Sequence, residues 1–164
     1  MLKYFAYGSN MSLSRLSERV TSAQRLGSCI LRAHDLRFHK VSRDRSAKCD
    51  AFYTEDPEDY ILGVLFEMCS SDKKYLDAAE GLGHAYDEKY VIVEDDDGNE
   101  ITAITYYALV IDAAIKPYSW YKNHVLIGAK ESSLPESYIQ KIEAVECIED
   151  PDRERDTEQR DIHR

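Results

Sequence analysis

Eight residues near the start of the chain, Tyr4-Phe5-Ala6-Tyr7-Gly8-Ser9-Asn10-Met11, constrain its fold more than any other stretch. The apolar and aromatic run over residues 2–7 fits a buried first strand, and Met11, Leu13 and Leu16 have helical spacing beyond it. Gly8 permits a tight turn between the two, and Ser9 or Asn10 can cap the helix start. A strand that runs through a glycine into a helix leaves several backbone N–H groups unpaired at one point, beside the positive end of the helix dipole. Such a point suits a carboxylate or a developing oxyanion. An ordinary strand-to-helix turn has the same local pattern, so the rest of the chain has to decide between them.

The 164 residues are long enough for one domain with its own core, expected over residues 1–150, with a polar, solvated tail over residues 151–164. Hydrophobic residues at 43% and charged residues at 32% describe a globular chain rather than a disordered one. Against 21 basic residues stand 31 acidic ones, and the net charge of −10 repels phosphate backbones, so nucleic acid is not an expected partner. No apolar stretch reaches membrane-spanning length, and the run before Gly8 is too short for a secretory signal. These features point to a cytoplasmic protein without a membrane partner. Cys29, Cys49, Cys69 and Cys147 form no Cys-x-x-Cys pair, which favours buried free thiols over a zinc site or a disulfide framework, with Cys29 and Cys69 beside apolar runs. Twelve tyrosines are unusual for this length, enough for several to line a pocket with hydroxyls turned inward.

Beyond a short helix at about residues 11–19, a second extended stretch is expected at 28–41 and an exposed loop at 42–48. Residues 50–54 and 60–68 read as a strand-turn-strand unit around Asp56-Pro57, and residues 90–94 and 101–111 as a hairpin closed by Asp97-Gly98. A calcium loop with Gly98 at its sixth position would need Val93 and Ile104 as ligands, which rules it out. Residues 118–127 read as loop and strand, and a helix with Tyr138, Ile139, Ile142 and Val145 on its apolar face begins near Pro135. After Pro151 apolar residues almost vanish. Hairpins with a few helices make the expected class α+β.

Residues 71–81 read as a helix stopped by Gly81, and in it Tyr75, Leu76, Ala79 and Glu80 follow Asp72 at inward spacing. A carboxylate in the last turn faces the negative end of the dipole and loses hydration if buried, which does nothing for helix stability. It does suit a group that takes up and returns a proton near neutral pH. The alternative is a glutamate that swings into solvent or pairs with Lys73 or Lys74. His84 and His124 lie nearest these residues in sequence, yet no catalytic triad or metal-ligand spacing includes them.

Phe5-Ala6-Tyr7-Gly8-Ser9-Asn10-Met11, Leu76-Asp77-x-x-Glu80-Gly81 and Gly128-Ala129-Lys130-Glu131-x-x-Leu134-Pro135, in that order, closely resemble the γ-glutamylcyclotransferase family over nearly the whole chain. The resemblance implies a small mixed or antiparallel β-barrel with flanking helices that works without metal or cofactor. It implies a small γ-glutamyl substrate, cyclised to 5-oxoproline with release of an amine or amino acid, and leaves a homodimer open. Glu80 matches the catalytic glutamate. Tyr4, Phe5, Ala6, Tyr7, Gly8, Ser9 and Asn10 match the substrate-binding segment, and Tyr106 and Tyr121 match pocket tyrosines. A further pocket tyrosine expected after Glu-Gly is Tyr86 by spacing or Tyr90 by its place before a strand. Ser9 and Asn10 resemble the dipeptide-cleaving branch more than the glutathione-specific or γ-glutamylamine branches. A non-catalytic binding module of the same fold, or an enzyme for γ-glutamylamines or a γ-glutamylated biosynthetic intermediate, are the competing expectations.

Overall fold

The computed structural model describes residues 1–164. Strands β1 (Leu2–Ala6), β2 (Gln24–Arg32), β5 (Tyr60–Met68), β6 (Tyr86–Glu94) and β7 (Glu100–Ala108) close a five-stranded barrel in the order β1-β5-β2-β6-β7. Every pairing is antiparallel except that of β1 with β7, which meet in parallel at Tyr4 and Ile104 and complete the ring. Strands β3 (His34–Val41) and β4 (Ala47–Tyr53) form a separate two-stranded sheet. Five helices flank the strands: α1 (Leu13–Ser17), α2 (Lys73–Glu80), α3 (Ser119–Glu131), α4 (Glu136–Glu143) and α5 (Arg153–Asp161). The α+β barrel expected from the sequence is therefore present.

Four local expectations are corrected. The extended stretch at 28–41 is two strands, because Ala33 adopts a left-handed conformation (φ 62°) and reverses the chain between β2 and β3. β4 and β5 are not a hairpin. β4 pairs with β3, and β5 pairs with β1 and β2. Residues 118–127 lie in α3, whose aromatic and β-branched start resembled a strand until packing decided. α3 seats against the first turn so closely that a Cβ on Gly128 would lie 2.5 Å from Met11 C and Ser12 N. Cys69, expected to be buried, is exposed, whereas Cys29 and Cys49 are buried.

The polar tail after Pro151 folds as the helix α5, with none of its residues buried. Asp152 caps α5 by accepting from the Arg155 N–H, Glu154 and Asp156 lie in its first turn, and Arg160 pairs with Asp156. A helix without an apolar face thus holds itself, and it docks through polar contacts. Asp150, fully enclosed, accepts from Trp120 Nε1 at 2.8 Å and from Arg155 Nε and Nη2 at 2.6 Å. The Arg155 guanidinium, against the cost of burial, holds that carboxyl down at about 2.

Candidate functional site

The barrel positions the opening segment from β1 outward. Phe5 and Ala6 are enclosed in the core, and the Phe5 carbonyl accepts from Thr105 Oγ1 at 2.9 Å. Beyond them the chain leaves the barrel at Gly8 and forms a 3-10 turn, Ser9–Met11, closed by Met11 N donating to Gly8 O at 3.1 Å. Ser12, not Ser9 or Asn10, caps the following α1 by accepting from the Arg15 N–H. Ser9 and Asn10 are thereby left inside the 3-10 turn, and their own N–H groups have no partner within it. Gly8 is needed here for close approach, since a Cβ would sit 2.9 Å from Cys49 Cβ and 3.3 Å from the Tyr121 hydroxyl.

α2 brings the glutamate to this turn. Its buried residue is Leu76, worth about 1.5–3 kcal/mol of burial, and Gly81 ends it in a left-handed conformation (φ 67°). The inward stripe is rotated from the one expected: Tyr75 and Ala79 are exposed, while Leu76, Asp77 and Glu80 face the barrel side. Glu80 neither swings into solvent nor pairs with Lys73. Its side chain is 14% exposed, Oε1 accepts from Asn10 Nδ2 at 2.8 Å, and Arg19 Nη1 lies 3.6 Å away. Asn10 is the hub of this contact. Its amide also donates to the Tyr4 hydroxyl at 3.2 Å, and its Oδ1 accepts from Arg19 at 3.1 Å.

Tyr4, Tyr7, Gly8, Ser9, Asn10, Cys49, Glu80, Tyr86, Tyr106 and Tyr121 line one cleft of about 300 Å³ counted to its open mouth. A wider hollow, about 660 Å³ counted in the same way, lies between β3 and α4, but its carboxylates, Asp35, Glu58 and Asp59, sit on a solvent-facing rim. The cleft instead converges a carboxylate, backbone amides and five phenols on one point. Burial first, and the nearby Glu80 charge among the further causes, raise all five tyrosines, Tyr4, Tyr7, Tyr86, Tyr106 and Tyr121, above their ordinary range and keep them protonated. Burial likewise pushes the Cys49 thiol up to about 12, so it is an inert wall rather than a nucleophile.

Of the residues singled out from sequence, Tyr4, Tyr7, Gly8, Ser9, Asn10, Glu80, Tyr86, Tyr106 and Tyr121 meet at the cleft. Three do not. Phe5 and Ala6 belong to the strand core, where both are fully enclosed and neither lines the cleft. Tyr90 is 75% exposed on the outer face of β6, so the choice left open falls to Tyr86, whose hydroxyl donates to the Cys49 carbonyl at 2.6 Å. Sequence reasoning missed Arg19, which carries no local signal, and Asp77, whose i−3 spacing from Glu80 was available. His84 is exposed. His124 is buried behind the turn, where it contacts His163 and Gln159. Gln159 in turn accepts from Arg15, which donates to Ser9 Oγ at 3.0 Å.

A cleft of this kind at the end of a small barrel, with one enclosed carboxylate beside an open backbone turn, has the make-up of an acid–base site for a small polar molecule. Comparison with known proteins gives the family. The AIG2-like family matches over residues 60–142. The chain is 32% identical over 152 residues to a γ-glutamylcyclotransferase of Mus musculus and 31% identical over 153 residues to one of Homo sapiens, in each case covering 87% of this chain and 78% of the relative. A solved γ-glutamyl cyclotransferase structure superposes with a TM-score of 0.87 at 28% identity, covering 98% of both chains. The chain belongs to the γ-glutamylcyclotransferase family. No helix in it is long and apolar enough to cross a membrane.

Proposed function

We propose that this chain cyclises the γ-glutamyl group of small γ-glutamyl dipeptides to 5-oxoproline, with Glu80 as the proton carrier. The observation that carries the reading is the 2.8 Å contact between Asn10 and Glu80, which ties a carboxylate to the Gly8 turn across 70 residues.

The substrate's α-ammonium gives one proton to Glu80, and the freed nitrogen attacks the γ-carbonyl carbon. A C–N bond forms and the carbonyl electron pair moves onto oxygen. The N–H groups of Ser9 and Asn10 are suited to that oxyanion or to the α-carboxylate. Glu80 then passes its proton to the leaving nitrogen and the old C–N bond breaks. The carboxylate takes the remaining extra proton from the ring nitrogen and hands it to the departing amine. Holding the glutamyl chain folded back in a narrow cleft supplies rate by proximity.

The test is release of 5-oxoproline from a panel of γ-glutamyl dipeptides, glutathione and γ-glutamylamines. Wild type is expected to favour a dipeptide such as γ-glutamyl-alanine. Glu80→Gln keeps an acceptor for Asn10 and is expected to fold normally by circular dichroism, with turnover down about 100- to 10,000-fold. Turnover that survives in Glu80→Gln overturns the mechanism, and no release from any member of the panel overturns the activity.

A further inference from the structure

The five phenols of the cleft are not equivalent, because each has one proton to donate. Tyr7 donates to the Tyr106 carbonyl, Tyr86 to the Cys49 carbonyl and Tyr106 to Asp77 Oδ1 at 2.6 Å, so all three protons are engaged. The Tyr4 and Tyr121 oxygens instead accept, from Asn10 Nδ2 and from the Cys49 N–H at 2.9 Å, and keep their protons. A ligand in the cleft therefore meets two hydroxyl donors and three hydroxyl oxygens that can only accept.

Two of the three acceptors are fixed by backbone carbonyls and follow from the fold alone. Tyr106 is different, because its direction depends on one side chain. Asp77 precedes Glu80 by one helical turn and has no proton to give while ionised, so the Tyr106 O–H must point at it. The Lys73 ammonium donates to both Asp77 carboxylate oxygens at 2.8 Å and lies 2.6 Å from Glu88 on β6. A γ-glutamyl head group carries one centre that only donates, its ammonium, and two that only accept.

We infer that Asp77 is a positioning residue: by engaging the Tyr106 proton it makes the Tyr106 oxygen an acceptor for the substrate ammonium, beside the carboxylate that deprotonates it. The inference rests on the γ-glutamyl reading of the cleft and specifies its amine subsite. It makes the site selective for a free α-amine. Glutaryl-alanine, which differs from γ-glutamyl-alanine by lacking that amine, gains nothing from the Asp77–Tyr106 contact.

The experiment measures kcat/KM for γ-glutamyl-alanine and the inhibition constant of glutaryl-alanine in wild type, Asp77→Leu, Asp77→Glu, Tyr106→Phe and the Asp77→Leu/Tyr106→Phe double variant. Asp77→Leu and Tyr106→Phe are each expected to lose about 10- to 100-fold in kcat/KM, the loss of one hydrogen bond to a charged group. The double variant is expected to be no worse than the poorer single one, Asp77→Glu to recover part of the loss, and glutaryl-alanine to bind all of them equally. Additive losses, an unchanged Asp77→Leu, or a parallel loss of glutaryl-alanine binding in an active enzyme overturn the inference alone. If Asp77→Leu fails to fold, Tyr106→Phe decides by whether the preference for the amine-bearing ligand falls or stays. A wild type that neither binds γ-glutamyl-alanine nor releases 5-oxoproline overturns the reading of the cleft and the amine subsite with it.

Discussion

Asn10→Asp changes one atom's chemistry at the centre of the cleft and almost nothing in its shape. The amide nitrogen that donates to Glu80 Oε1 at 2.8 Å becomes a carboxylate oxygen at the same place. Two unit charges at that 2.8 Å separation repel by about 6 kcal/mol at an effective dielectric of 20. The pair relieves this by binding one proton between its two oxygens, as carboxylate dyads do. Arg19, 3.1 Å from the Asn10 oxygen and 3.6 Å from Glu80, supports the remaining single charge and keeps the variant folded. A shared proton deprives the reaction of its base at neutral pH. The acidic limb of the kcat/KM profile for 5-oxoproline release is expected to move up by about two to four pH units, so that activity lost at about pH 7 is regained above about pH 9. Asn10→Ala, which removes the donor without adding charge, leaves the limb near its original place. An Asn10→Asp enzyme with the wild-type pH profile would refute the placement of Glu80 as the group that accepts the substrate's proton.

Gly128→Ala sets helix propensity against packing. Alanine favours α3 by about 1 kcal/mol, but its Cβ would lie 2.5 Å from Met11 C, Met11 Cβ and Ser12 N, where backbone cannot yield. Packing wins, and a net loss of about 2 kcal/mol, or roughly 4–8 °C in Tm, is expected by thermal melting. Acid stability reports on His124, whose burial, with Arg15 and His163 nearby, pushes its imidazole down to about 3. The unfolded chain takes a proton below about pH 6.5 that the folded chain refuses, so stability is independent of this group above that pH and falls between about 6.5 and 3. At pH 5 the loss is about 2 kcal/mol, and His124→Gln is expected to be less acid-sensitive by that amount in urea unfolding. Equal acid sensitivity of the two proteins would contradict it.

How much of the fold is legible in the sequence depends on how local its cause is. The β6–β7 hairpin rests on Asp97-Gly98, and Gly98 does adopt a positive φ (80°), so residue chemistry within four positions carries it. The end of α2 at Gly81 is equally local. β4 and α3 are not. Residues 50–54 have β propensity that any neighbouring strand can satisfy, and β3 takes them in place of β5, through four of the seven registered pairs it makes with β4. The start of α3 is aromatic because Tyr118, Trp120 and Tyr121 are buried around Lys48, whose ammonium lies 5.0 Å from the Trp120 ring. That need belongs to the tertiary contact and leaves no helical period in sequence. α5 was invisible for the opposite reason, since its docking is made by Arg155, Gln159 and Arg160, residue types that ordinarily signal solvent.

The site divides along the same line. Gly8 and Glu80 stand out in sequence because each is costly where it sits: a glycine in an apolar run and a carboxylate at the negative end of a helix need a reason. Asp77 and Arg19 cost nothing locally, an aspartate four residues from a lysine and an arginine after a short helix, so their roles exist only once the barrel brings β7 and the first turn to α2. Tyr86 and Tyr90 show how sharp the boundary is. Both precede Val91 and both suit a strand, and four residues apart they would share a face in strict alternation, yet Tyr86 is buried against Cys49 at the start of β6 while Tyr90 is 75% exposed beside the buried Val91. Register is a property of the closed barrel, and a one-residue slip of β6 against β7 would exchange the inner and outer faces of the whole strand. Such a slip moves Tyr86 and Tyr90 together, so the pocket tyrosine is singled out by the contact that the start of β6 makes with Cys49, not by register or by any motif around the tyrosine itself.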